Sequence, residues 1–213
     1  MQAGLGMPLS EAMETQRAIR RLRPDPVDDE LVLRLIDLAL RAPTGSNAQN
    51  WEFIVVKDPK VKAGLARLNR LVWQLYARIP RQLTRSRPER QRIRDAVRWQ
   101  AEHFEEIPVV VVACLKGFRF PFPHVLAASY YGSIFPAVQN LLLAARAANL
   151  GAALITVPLW NLFALRRILG LPRQVTPCAL IPMGWPRGRY GPTTRKRVQE
   201  VVSFDRFGNR PSA

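Results

Sequence analysis

Two cysteines, two histidines and no long apolar run exclude several kinds of protein from these 213 residues. Cys114 and Cys178 form no CxxC or metal-ligand spacing, and both lie in apolar stretches, so each is expected to be a buried free thiol. His103 and His124 stand outside any triad context, which leaves a Ser-His-Asp hydrolase little to work with. There is neither a P-loop nor a GxGxxG turn. The longest apolar runs, 109–114 and 141–145, are far too short to span a bilayer. Residues 2–9 have no basic region ahead of their brief apolar run, which argues against a secretory leader. A reducing, cytoplasmic setting is the expectation.

Acidic residues are also scarce. Sixteen Asp and Glu face 32 Lys and Arg, for a net charge of +16. Such a field favours polyanions, acidic membrane surfaces or negatively charged ligands. The alternative is a compositional preference for arginine without a binding role. Hydrophobic content of 48% is ordinary for a globular domain, and the length suits one domain, 1–213, with a basic helical insertion at about 58–104.

Apolar spacing predicts helices over 9–22 and 29–41, the second with Asp28 as its N-cap. Further helices are predicted over 60–78 and 129–148, with Gly151 as the stop of the last, and over 162–169, closed by Gly170. Strands are predicted over 53–57, 109–114, 152–157 and 177–183, the second buried on both faces. Pro80 ends the 60–78 helix. The run after it, with Arg81, Arg85, Arg87, Arg90, Arg92, Arg94 and Arg98, is read as a solvated insertion. It lacks aromatics interleaved for base stacking, and a polyanion-binding role remains its alternative. Long apolar helices alternating with short strands indicate an α+β fold, a sheet wrapped by helices.

The most informative stretch is Ala42-Pro43-Thr44-Gly45-Ser46-Asn47-Ala48-Gln49-Asn50-Trp51. Pro43 ends a helix, Gly45 is expected to take positive φ in a polar turn, and Asn47 and Gln49 offer amides that both donate and accept. By itself it reads equally as an ordinary helix–loop–strand connection. It resembles the A-P-[ST]-x-x-N-x-Q-x-W block of the nitroreductase family of FMN-dependent enzymes. Other blocks follow in the family's order. Gln16-Arg17-Ala18-Ile19-Arg20 is similar to R-R-[SA]-[IV]-R, with Gln16 in place of Arg. The run from Pro136 to Gly151 is similar to PAxQNLLLAARALGLG. Arg195-Lys196-Arg197-Val198-Gln199-Glu200-Val201-Val202 is similar to RxPLxEVV, with Arg197 at the usual Pro.

The resemblance implies a nitroreductase-like central sheet surrounded by helices, with FMN at a homodimer interface. Arg17, Ala18, Arg20 and Arg195 would meet the FMN phosphate and ribityl chain, and Ile155, Thr156 and Val157 the ring. Pro43, Thr44 and Asn47 would face FMN held by the other subunit. NADH or NADPH would reduce the flavin, which would pass electrons to a nitroaromatic or quinone-type acceptor by a ping-pong course. No side chain is named as catalytic, because the flavin carries the chemistry. Trp73 and Tyr76, with Phe118, Phe120 and Phe122 in a Pro-containing loop, offer flat apolar surface for a planar acceptor. The alternatives are an FMN storage protein and a basic nucleic-acid-binding protein on the same fold.

Overall fold

The computed structural model describes residues 5–78, 88–117 and 124–211. Its frame is a four-stranded antiparallel sheet of β1 (Trp51–Val56), β2 (Val109–Lys116), β3 (Gly151–Ala152) and β4 (Val175–Gly184), in the spatial order β1-β2-β4-β3. In β2 every residue but the terminal Lys116 is buried. Side chains alternate across a strand, so one run of apolar residues feeds two cores. Val109, Val111, Ala113 and Leu115 enter the first, beneath α2 (Asp29–Ala39) and α5 (His124–Ala147). Val110, Val112 and Cys114 enter the second, beneath α3 (Pro59–Ala77), Phe104 and α6 (Leu162–Leu169). A slip in register between Ala113 and Cys114 places Cys178 and Ala179 of β4 in the same core.

Local chemistry sets the helix ends. The Asp58 carboxylate accepts from the N–H groups of Lys60 and Val61, both at 2.9 Å, with Pro59 at the first helical position, which opens α3 cleanly. Asn161 caps α6, and Gly170 closes it at φ 62°, as its sequence suggests. Asp28 occupies the N-cap of α2 with extended backbone but makes no side-chain cap bond. The stretch 58–104 folds mainly as α3 and α4 (Pro88–Glu102). Leu65, Ala66, Leu68 and Val72 of α3 pack into the second core, while Arg92, Arg94 and Arg98 of α4 stay exposed. Pro80 and the arginines from Arg81 to Arg87 lie outside the described residues, as do Phe118, Phe120 and Phe122.

Three expectations are corrected. The first helix, α1 (Leu9–Thr15), ends seven residues before Leu22. The chain then runs extended because the Ile19 N–H donates to the Ala152 carbonyl at 3.0 Å and Leu22 bridges to Pro186. Ile19 and Leu22 satisfy helical spacing and sheet-edge pairing alike, and the edge wins. The strand expected over 152–157 pairs regularly only at Gly151 and Ala152, since Pro182 of β4 offers no N–H to continue the ladder. Pairing resumes once, at Ile155 with Leu180, before a 3-10 turn at Val157–Asn161. The left-handed residue that stops α5 is Asn149, φ 59°, not Gly151.

Cys114 and Cys178 are free and buried. Burial pushes both thiols from 9.0 up to about 12. The folded chain therefore holds thiol protons that the unfolded chain releases, so this contribution is complete below about pH 9 and is lost as pH rises towards 12. A thiol reagent at neutral pH is expected to label neither cysteine in the folded protein and both after denaturation. The urea midpoint should fall above about pH 9 by less in a Cys114→Ala, Cys178→Ala variant than in the wild type.

Candidate functional site

The helix α5 has a different constellation at each end. Near its start, the turn of the 42–51 block docks on two serines. The Gly45 N–H donates to Ser133 Oγ at 3.1 Å, Ser133 Oγ–H donates to the Ser129 carbonyl, and Trp51 Nε1–H donates to the Ser133 carbonyl at 2.6 Å. Space rather than φ is what favours glycine at 45. A Cβ there would stand 2.8 Å from Ser129 Oγ, whereas the positive φ angles fall on Ser46, Asn47 and Gln49, at 52°, 51° and 47°. Three non-glycine residues in the left-handed region within four positions store strain, at a cost of order 1–3 kcal/mol each. The turn is stapled internally. Thr44 Oγ1 accepts from the Gln49 N–H at 3.1 Å, and Asn47 Oδ1 accepts from Gln49 Nε2 at 3.2 Å. Pro43 and Asn47 are exposed and Thr44 is half-buried.

At the far end of α5, the segment that carries Arg17 and Arg20 runs along the β3–β4 edge, and the strip that carries Arg195 is tied to it. The extended segment 16–20 lies against β3 so closely that a Cβ on Gly151 would sit 2.7 Å from both Ile19 Cγ2 and Leu22 Cδ2. The Thr193 N–H and Oγ1–H both donate to the Glu14 carbonyl, at 3.3 and 3.0 Å. This ties the 190s strip to the segment carrying Arg17, Ala18 and Arg20, and Arg195 follows two residues after the tie. Among the described residues none of Arg17, Arg20 and Arg195 pairs with a carboxylate. Arg17 and Arg195 are exposed. Arg20 is half-buried, and its Nε is closed to solvent with no hydrogen-bond partner. Burial lowers the Arg20 pKa, the sign of a desolvated cation lacking a counter-charge. The orphaned, buried donor of Arg20, on the same segment as the exposed Arg17, suits a phosphate group, whose oxygens match the guanidinium fork.

Ile155, Thr156 and Val157 belong to the same sheet edge, where the irregular pairing with β4 ends; Thr156 is exposed. The two constellations are not adjacent within one chain. Ser133 and Arg146 lie thirteen residues apart on α5, roughly 20 Å at helical rise. Pro43, Thr44 and Asn47 thus stand at one end of that helix and the arginines at the other.

Sequence reasoning missed two features of this region. Trp160, largely exposed, meets Tyr76 edge to face at 5.4 Å, and Tyr76 meets Trp73 at 6.0 Å, extending the aromatic surface up to the 155–157 segment. The signal was a tryptophan directly after Pro158 and Leu159. The second is a buried arginine, Arg146, hidden in the sequence because it ends an otherwise apolar helix. Among the described residues no His, Cys, Asp and Glu group could hold a metal, and no helix is long and apolar enough to cross a membrane.

The nitroreductase family model matches residues 13–185. An NADH dehydrogenase of Thermus thermophilus is 29% identical over 215 aligned positions, covering 88% of this chain and 91% of the relative. Iodotyrosine deiodinase 1 of Rattus norvegicus is 25% identical over 194 positions, covering 90% of this chain and 67% of the relative. The crystal structure of oxidized iodotyrosine deiodinase bound to FMN and 3-iodo-L-tyrosine superposes with a TM-score of 0.73 at 21% identity, covering 94% of this chain and all of that one. Replacing Gly151 by alanine is expected to force the 19–22 segment off the sheet edge and cost about 1–3 kcal/mol, read as a lower urea midpoint. An unchanged midpoint would mean that the close approach is not maintained in solution.

Proposed function

The chain belongs to the nitroreductase family, and from that membership we propose an FMN-dependent oxidoreductase that takes reducing equivalents from NADH or NADPH and delivers them to quinone-type or nitroaromatic acceptors. The observation that carries this reading is the buried, partnerless Nε of Arg20, on the same segment as the exposed Arg17 and linked through the Glu14–Thr193 tie to the strip that carries Arg195. When bound, FMN supplies the two-electron redox centre that links donor to acceptor. The chain's own work is binding and orientation. Arg17, Arg20 and Arg195 would neutralise the phosphate, and Ala18 would offer it a backbone N–H. Ile155, Thr156 and Val157 would border the ring, with Trp73, Tyr76 and Trp160 as an aromatic surface for the acceptor.

A second copy of the chain completes the site. Pro43, Thr44 and Asn47 are too far along α5 to close over a flavin held by the arginines of the same chain, whereas a two-fold copy brings them to it. The apolar surface supports this pairing. Tyr131 and Phe135 of α5, and Val198, Val201, Phe204 and Phe207 of the C-terminal arm, are exposed in the single chain, a surplus that a homodimer covers.

Donor and acceptor share one flavin face, so they bind in turn. The surrounding positive charge favours the more anionic NADPH, an effect that salt weakens. Initial rates at several fixed benzoquinone concentrations are expected to give parallel double-reciprocal lines, and NADPH to bleach the bound flavin without oxygen. Intersecting lines would contradict alternation. Flavin that neither NADH nor NADPH bleaches would make the protein a carrier of FMN instead.

A further inference from the structure

Arg146 is the one charged residue fully inside the protein among those described, at 7% exposure. Removing a guanidinium from water costs several kcal/mol, and apolar residues of similar volume often stabilise a fold as well or better. Its surroundings show what an apolar residue there could not do. Nε–H donates to Thr15 Oγ1 at 2.8 Å, Nη1–H donates to Asn149 Oδ1 at 3.2 Å, and Nη2 lies 3.8 Å from Glu11 Oε1. The fourth side is the Tyr190 ring, whose centroid is 4.1 Å from Cζ. Two of the partners are themselves held. Thr15 Oγ1–H donates to the Glu11 carbonyl at 2.6 Å, which leaves its lone pairs turned to the arginine, and the Tyr190 hydroxyl donates to the Leu150 carbonyl.

This guanidinium joins three pieces of chain: the end of α1, the end of α5 and the strip around 190. Two of them lead straight to the anion site. Arg17 stands two residues beyond Thr15, and the Glu14–Thr193 tie continues from the hub to Arg195. The third is rigid, since Leu141 and Ala145 of α5 are wholly buried. The negative end of the α5 macrodipole further favours a cation at that position.

We propose that Arg146 is the positioning residue of the phosphate site, fixing the 17–20 segment and the 193–195 segment relative to α5 so that Arg17, Arg20 and Arg195 converge on one phosphate. The proposal rests on the FMN reading above. It predicts a selective defect. FMN and riboflavin share a ring and ribityl chain and differ in the phosphate, so disturbing the convergence of the arginines weakens FMN alone.

The test measures dissociation constants for FMN and riboflavin, by quenching of flavin fluorescence, on the full-length apoprotein. Arg146→Met is expected to weaken FMN by about tenfold or more, the size typical of removing a group that orients a ligand-binding side chain, with riboflavin unchanged. Arg146→Lys, which keeps the charge and loses the fork, should recover part of the FMN affinity. If Arg146→Met does not fold, Thr15→Val and Thr193→Val remove single ties from the same hub and carry the same comparison. Equal weakening of FMN and riboflavin, or no change in FMN, would overturn the proposal and leave Arg146 a structural staple. A wild type that binds neither flavin would overturn the FMN reading and this inference together, whereas equal weakening in a variant overturns the inference alone.

Discussion

The burial of β2 on both faces is the constraint from which the rest of the molecule follows. A strand with no solvated side needs cover above and below, and its antiparallel neighbours supply only the edges. The cover on one face is α5, whose buried residues run from Ile134 through Ala145. That helix is thereby held through its second half, and what is attached to its two ends inherits the separation set by its length. The serine-docked turn at one end and the arginine cluster at the other are consequences of this single packing requirement. The proposed site draws on both ends, and on that reading takes two chains.

Much of this arrangement was legible from residues alone. The apolar 109–114 run announced the doubly buried strand, and the Leu162–Leu169 helix with its glycine stop was read at its true limits, because periodicity and capping agree there. Disagreement arose where one pattern suits two structures. Ile19 and Leu22 are spaced for a helix, yet a hydrogen bond to Ala152 and the bare surface of Gly151 draw them to the sheet. Strand pairing beyond Ala152 depends on a proline in another strand, information no local window contains. The turn at 45–49 was recognised, but its conformational burden was assigned to the glycine. The backbone instead imposes it on Ser46, Asn47 and Gln49 and uses Gly45 for clearance.

Electrostatics divides the same way. A net charge of +16 says only that anions are favoured. The structure distinguishes arginines by their partners. Arg34 and Arg41 bracket Asp37, Arg166 donates to three carbonyls at the close of α6, and Arg146 is enclosed by Thr15, Asn149 and Tyr190. Among the described residues Arg17, Arg20 and Arg195 have no acidic partner, and Arg20 is desolvated as well. The orphaned donor of Arg20, and not the total charge, is what supports the proposed anion site.

The central claim is that one chain holds the FMN phosphate while its copy closes over the ring. A crystal structure of the protein grown with FMN tests it most directly. The account predicts the phosphate within hydrogen-bond distance of Arg20, with Arg17 and Arg195 of the same chain around it. It also predicts Pro43, Thr44 and Asn47 of the second chain against the flavin. A phosphate bound away from Arg20, or a flavin enclosed wholly by one chain, would contradict it.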